Sequence, residues 1–111
     1  MYEYKAKIID VYDGDTVTAN VELGFNVSME IKIRLYGIDT PEVRGEEKEL
    51  GLKSKARLES LILDKTVIIK TYKDKKEKYG RWLADIYENK ESEKSVNQIL
   101  LSEGLAKSYL L

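Results

Sequence analysis

The stretch VYDGDTVTANVEL, residues 11–23, is the part of the sequence that most directly indicates the fold. Asp13-Gly14 lies between two runs of alternating apolar and polar residues, and both residues tolerate the positive φ angles of a tight hairpin turn. After the turn every second residue is apolar, which predicts a strand whose core face is formed by Val17, Ala19, Val21 and Leu23. This stretch therefore predicts two antiparallel strands joined by a short turn.

Similar patterns extend this prediction along the chain. Period-two alternation, rich in β-branched and aromatic residues, predicts strands over residues 2–12, 15–23, 28–36, 66–72 and 82–88. Helix-forming residues predict helices over 46–63 and near 96–103, the second with Ser95 as N-cap and Gly104 at its end. We predict a mainly β fold with helices (α+β): an OB-fold five-stranded barrel with two packed α-helices. A five-stranded α+β sandwich would give a similar order of elements.

Length and composition indicate one small globular unit. A chain of 111 residues with 42% hydrophobic and 35% charged residues suits a single domain over residues 1–111. No apolar run approaches the roughly 18 residues of a membrane span, and the N-terminus has no pattern of a secretory signal. We expect a monomer without a membrane partner, located in the cytoplasm, or outside the cell if a signal has been trimmed away.

The residue types that are missing restrict the chemistry. The sequence contains no Cys and no His, which excludes disulfides, thiolate zinc sites and histidine bases. Any catalysis must therefore use carboxylates, Arg, Lys, Tyr or hydroxyl groups. The net charge of −1 argues against a strongly basic surface, although a local basic patch can still attract phosphates.

Asp15 is the first candidate for a functional residue, because Asp13-Gly14 already accounts for a turn. It lies in the same alternation as the core-facing residues, so either the strand begins after it or its carboxylate faces the inner rim of the barrel. A buried carboxylate without a partner is costly, and a cation would remove that cost. The alternative interpretation is that Asp15 caps the hairpin through its own backbone.

A second cluster lies in IRLYGIDTPEV, residues 33–43, where a strand ends and a loop begins. It concentrates Arg34, Asp39, Thr40 and Glu42. The alternation of the strand predicts that Arg34 points away from the core, toward solvent or toward a cleft. A solvated arginine and a turn that caps the following helix are the alternative interpretations.

A third stretch, KTYKDKKEKYGRW at 70–82, carries six cations against two anions and interleaves tyrosines with them. It predicts a nucleic-acid contact, with a solubilising surface loop as the alternative. The chain has fifteen Lys but four Arg, and two of the arginines, Arg34 and Arg81, fall in these stretches. A guanidinium can bind a phosphate through two hydrogen bonds, as Lys cannot.

Four blocks, DGDTV (13–17), IRLYGIDTPE (33–42), KYGR (78–81) and VNQILLSEGLAK (96–107), together resemble the thermonuclease family of staphylococcal-nuclease-like domains. The resemblance covers nearly the whole chain. It implies an OB-fold barrel and a calcium-dependent phosphodiesterase that cuts DNA and RNA and leaves 3′-phosphate ends.

The resemblance also implies roles for individual residues. Asp15 and Asp39 would bind Ca²⁺ through their carboxylates and Thr40 through its backbone carbonyl, an oxygen-only set that suits this ion. The catalytic residues would be Glu42, which activates or orients the attacking water, and the phosphate-binding pair Arg34 and Arg81. Substrate phosphate would also be contacted by Lys78 and Tyr79.

Two further expectations complete the sequence analysis. The segment GLAKSYLL holds Tyr109 only loosely in register with the aromatic residues that hold a nucleotide in the staphylococcal enzyme. The other candidate function is a non-catalytic OB-fold module that binds nucleic acid. The intact set of carboxylates and arginines favours the nuclease, because a binding module has no chemical reason to keep that set.

Overall fold

The computed structural model describes residues 2–76 and 80–109, with the exception of the side chains of 73–76. The predicted substrate contacts Lys78 and Tyr79 lie outside the described residues, as do most side chains of the basic stretch. Within the described residues, neither helix combines the length and apolar character needed to cross a membrane.

The described elements follow the predicted order, with two short additions. The strands are β1 (Tyr2–Asp13), β2 (Thr16–Gly24), β3 (Val27–Leu35), β4 (Ile38–Asp39), β5 (Thr66–Lys76), β6 (Trp82–Tyr87) and β7 (Lys107–Ser108). The helices are α1 (Lys48–Ile62), which follows a 3₁₀ turn at Gly45–Glu47, and α2 (Val96–Ser102). The two-residue strands β4 and β7 were not predicted, because they lack the length at which alternation becomes visible.

Five strands close into a barrel in the order β1, β2, β3, β6, β5. Neighbouring strands are antiparallel except for β3 and β6, which are parallel. This arrangement confirms the predicted OB-fold-like barrel with two helices, in place of a sandwich. The fully buried side chains come from the inner faces of all five strands and from both helices, and include Ile8, Val17, Ile33, Leu35, Ile69, Ile86, Leu58, Ile62 and Leu100.

The turn between β1 and β2 differs from its prediction. Its two residues are Gly14 and Asp15, since Asp13 is already paired with Thr16, and neither turn residue has a positive φ. The reason for a glycine here is a close approach: a Cβ on Gly14 would lie 2.8 Å from the side chains of Ser54 and Thr40. Gly14 therefore lets the turn lie against α1 and the loop after β4.

The predicted core position of Leu23 is wrong, because its side chain is 46% exposed. Val21 is the last residue of β2 that pairs with β1, so beyond it β2 and β3 form a two-stranded ribbon with no barrel to cover. The ribbon ends in a turn at Phe25 and Asn26, whose φ angles are 55° and 62°. This is the left-handed geometry of a type I′ hairpin turn.

Helix α2 begins as predicted. The Ser95 hydroxyl accepts a hydrogen bond from the Gln98 amide (3.1 Å), and the Gln98 side-chain oxygen accepts one from the Ser95 amide (2.9 Å). These reciprocal bonds form a capping box.

Asn97, in the first turn of α2, is buried and joins three parts of the fold. Its Oδ1 accepts a hydrogen bond from the Ile86 amide (3.2 Å), and its Nδ2 donates to the carbonyls of Tyr36 (2.8 Å) and Ala84 (3.2 Å). Because Tyr36 directly follows β3, this side chain fixes α2 against β6 and against the segment that leads to β4.

Candidate active site

The centre of the candidate site is an ion pair at one mouth of the barrel. Arg34 Nη1 lies 2.7 Å from Asp15 Oδ2, and the two residues are only 7% and 4% exposed. Thr16 and Arg34 are paired across β2 and β3, so the turn that holds Asp15 is adjacent to the arginine. Arg34 points away from the barrel core, as predicted, but into a covered cleft, so the solvated-arginine alternative is wrong.

The loop after β4 completes the cluster around this guanidinium. Arg34 Nη2 donates a hydrogen bond to the Ile38 carbonyl (3.1 Å) and lies 3.5 Å from Asp39 Oδ1, while the Thr40 amide donates to Asp15 Oδ2 (3.0 Å). One arginine thus bridges two carboxylates that are 24 residues apart in the sequence. The Asp39 side chain remains 40% exposed, which leaves the cluster open to solvent on that side.

Asp13 and Asp15 influence each other's ionisation. Burial, followed by the hydrogen bond and the negative charge of Asp15, raises the pKa of Asp13 to about 6. Burial alone would also raise the pKa of Asp15, but hydrogen bonds with Asp13 and with Arg34, together with the Arg34 charge, hold that pKa below its usual value. As the pH falls, Asp13 is therefore protonated first, and Asp15 stays ionised to a lower pH.

Arg81 is joined to the cluster through Thr16. The Thr16 hydroxyl donates a hydrogen bond to Asp15 Oδ1 (3.1 Å) and accepts one from Arg81 Nη1 (3.1 Å). Arg81 directly precedes β6, whose first residues run parallel to the end of β3, where Arg34 lies. The parallel pairing of these two strands therefore places both arginines at the same mouth of the barrel.

Glu42 lies on the exposed edge of this site, two residues after Thr40. Its backbone amide donates a hydrogen bond to Glu47 Oε2 (3.2 Å), which fixes the loop against the 3₁₀ turn. Its carbonyl lies directly over Gly51 of α1, so closely that a Cβ on Gly51 would overlap the Glu42 carbonyl group. The backbone of Glu42 is thus held by two contacts, while its side chain faces solvent.

The contacts described above bring together five of the residues singled out from the sequence: Asp15, Arg34, Asp39, Thr40 and Arg81. Sequence reasoning missed the bridging role of Thr16. The signal in the sequence was its position next to Asp15. Its pairing with Arg34 became visible only in the structure.

Tyr109 is a second residue whose place the sequence left open. Its ring centroid lies 5.5 Å from Arg34 Cζ, and its amide donates a hydrogen bond to the Gly37 carbonyl (2.9 Å). The pairing of β7 with β4, which joins Asp39 to Lys107 and Ile38 to Ser108, brings it there. No local sequence pattern predicts that two strands of two residues each, β4 and β7, pair over such a distance in the chain.

A closed five-stranded barrel with an Asp-Arg-Asp cluster at one mouth, whose central Asp15-Arg34 pair is buried, defines an OB-fold-like α+β protein with a polar site at the barrel rim. Residues 32–111 match the protein family described as staphylococcal nuclease homologue, and the chain belongs to that family. The matched segment begins after Asp15 and includes the other candidate residues of the site.

An uncharacterized protein of Methanocaldococcus jannaschii is 36% identical to this chain. The alignment covers 96% of this chain and 60% of that relative. The chain thus spans about three fifths of the relative's length.

Proposed function

We propose that this protein is a calcium-dependent nuclease that hydrolyses phosphodiester bonds of DNA, and also of RNA, by in-line attack of water, leaving 3′-phosphate ends. The observation that carries this proposal is the cluster itself: one buried guanidinium bridges two carboxylates, and a second guanidinium is joined to it through Thr16. Family membership supports the same class of reaction. We also propose that residues 1–111 act as a single domain, because the described strands and helices share one core.

The donors of the cluster fit a hard cation such as Ca²⁺. Asp15, Asp39 and the Thr40 carbonyl offer oxygen atoms only, which is the preference of this ion. The Asp15 carboxylate, which has about four lone-pair sites, is engaged by Arg34, Thr16, the Thr40 amide and Asp13, so a metal bound to it would replace one of these partners. Within the described residues no group of three acidic side chains is arranged to enclose a metal, so other ligands must come from water and substrate.

Bound Ca²⁺ would polarise a phosphoryl oxygen and neutralise part of its charge. The arginines would do the rest of the electrostatic work, because the charge on the phosphoryl group grows as the reaction proceeds. Arg34 is held by Asp15 and by the Ile38 carbonyl, so its guanidinium is already oriented before substrate arrives. Arg81 reaches the same mouth from β6 and would hold the phosphate from a second direction.

Glu42 is suited to orient or deprotonate the attacking water, because its carboxylate is exposed on a loop whose backbone is fixed. Lys78 and Tyr79, which lie outside the described residues, are proposed to contact a neighbouring substrate phosphate. Tyr109 can stack on the nucleotide next to Arg34, because its ring already lies beside that guanidinium.

The test is cleavage of single-stranded DNA by the wild type, Glu42→Gln and Arg81→Ala, each with Ca²⁺ and with a chelator. We expect the wild type to cut only with Ca²⁺, and each variant to lose about 100-fold or more in kcat. Glu46→Gln is the matched control, because it removes the same charge from an exposed side chain of the adjacent 3₁₀ turn and should keep wild-type activity. Equal activity in all variants, or activity that survives the chelator, would refute the mechanism; binding without cleavage would support the non-catalytic module.

A further inference from the structure

A cavity of about 580 Å³ lies beside the candidate active site, on the outer face of β1, β2 and β3. Its charged lining consists of Lys32, Arg44 and Arg81 against a single carboxylate, Asp10, among the described residues. In a chain whose net charge is −1, this is a local excess of positive charge. Such a groove attracts a polyanion.

The groove is continuous with the active site. Arg81 and Thr16 line the groove, and the Thr16 hydroxyl is hydrogen-bonded both to Arg81 and to Asp15. When a phosphate of the substrate strand is held at Arg34 and Arg81, the nucleotides next to that phosphate therefore enter the groove.

The strand register places a further cation one step along this path. Thr16 is paired with Arg34, and Thr18 is paired with Lys32 on one side and with Asp10 on the other. Two residues along β2 correspond to about 7 Å, since a strand rises about 3.4 Å per residue. The side chains of Arg34 and Lys32 thus leave the same face of the sheet at successive positions, an arrangement that suits successive phosphates of an extended strand.

The opposite wall of the groove carries an aromatic ring with its own support. The Arg44 guanidinium donates a hydrogen bond from Nη2 to the Tyr12 hydroxyl (2.9 Å), and both side chains are exposed. The bond connects the loop before α1 to the end of β1. It holds a ring and a cation together, the combination on which bases of single strands stack in other OB-folds.

We propose that this groove is an extended subsite for single-stranded nucleic acid, which binds the nucleotides adjacent to the bond that is cut. The proposal rests on the nuclease function proposed above and specifies its substrate: a polymer that spans the active site and the groove, in preference to a dinucleotide. Lys32 and Arg44 contact phosphates there, and Tyr12 stacks on a base. Unpaired bases are required, because the ring can stack only on an exposed base face.

The experiment measures binding by fluorescence anisotropy in a Glu42→Gln background, which slows cleavage during the titration. The ligands are a dinucleotide and an oligonucleotide of about 12 nucleotides, a length within the range that one OB-fold covers. Lys32→Gln, Arg44→Gln and Tyr12→Ala are compared with Lys90→Gln, which removes an exposed lysine outside the groove. Each titration is repeated over a series of salt concentrations.

We expect Lys32→Gln and Arg44→Gln each to make the slope of log K against log salt shallower by about 0.7 for the longer ligand, the value for one lost phosphate contact. Tyr12→Ala should lower the affinity for the longer ligand by about tenfold, through loss of one stacked base. In all three variants the preference for the long over the short ligand should fall, and in Lys90→Gln it should not.

Salt slopes and length preferences that match those of Lys90→Gln would overturn the groove proposal. The nuclease proposal is tested separately, by cleavage with the unaltered Glu42. A wild type that does not cut DNA with Ca²⁺ would refute the nuclease, while the length preference would still report whether the groove binds nucleic acid.

Discussion

Replacement of Gly51 by alanine tests how the active-site loop is positioned. Gly51 lies in the first turns of α1, directly under the Glu42 carbonyl. In an unconstrained helix, replacement of glycine by alanine stabilises the helix by about 1 kcal/mol. Here the added methyl group would overlap backbone atoms of Glu42 and Val43, which cannot rotate away as a side chain end can.

The balance of these effects predicts a loss of stability. Overpacking of a tightly packed contact costs about 1–3 kcal/mol. After the gain in helix propensity is subtracted, we expect Gly51→Ala to lower the free energy of unfolding by about 1 kcal/mol, which corresponds to a fall in Tm of about 5 °C for a domain of this size.

The larger effect should be on catalysis. The loop must move away from α1 to accept the methyl group, and this displaces Glu42 relative to the arginines. A misplacement of about 1 Å in a catalytic group can cost about 100-fold in rate. We therefore expect a large fall in kcat for DNA cleavage, with the binding of the oligonucleotide changed much less.

The assays are thermal and urea unfolding, together with Ca²⁺-dependent cleavage. Lys53→Ala is the matched control, because it introduces alanine two residues away at an exposed position of the same helix and should change stability by less than about 0.5 kcal/mol. If Gly51→Ala were stabilised by the full helix-propensity gain and cleaved DNA at the wild-type rate, the close contact between α1 and the Glu42 loop would be refuted.

Three further substitutions test other contacts by urea unfolding. Arg34→Met should destabilise by about 3–5 kcal/mol, because it leaves the buried Asp15 carboxylate unpaired; a change below about 1 kcal/mol would mean that the ion pair is not buried. Asn97→Ala should cost about 3 kcal/mol, since it leaves one amide and two carbonyls without their partner, and a near-neutral result would show that water replaces the side chain. Ser95→Ala should cost about 1 kcal/mol through loss of the capping box with Gln98, and an unchanged midpoint would argue against that cap.

The barrel strands could be read from the sequence because alternation marks a half-buried strand wherever one face meets the core. No boundary of β1, β2 or β3 differs from its predicted position by more than one residue. The same rule failed at Leu23, where the alternation continues beyond the end of the barrel and no core is left to bury the side chain. The turn preference of Asp-Gly gave the wrong explanation for Gly14, which permits close packing and does not supply a positive φ.

The residue types of the candidate site were also visible in the sequence, because carboxylates and arginines stood out in a chain without Cys or His. Their arrangement was not. The bridge from Arg34 to Asp15 and Asp39 depends on the pairing of β2 with β3 and on the course of the loop after β4. The link from Thr16 to Arg81 depends in addition on the parallel pairing of β3 with β6.

The sequence by itself determined which segments form strands and helices, and which few side chains can carry charge-based chemistry. Those properties follow from local periodicity and from residue type, which need no knowledge of distant contacts. Only the tertiary structure decided that Asp15 is buried against Arg34, that Tyr109 lies beside that guanidinium, and that Lys32, Arg44 and Tyr12 line one groove. These relations are produced by strand pairing and by loop contacts between residues far apart in the chain, which short-range patterns do not reveal.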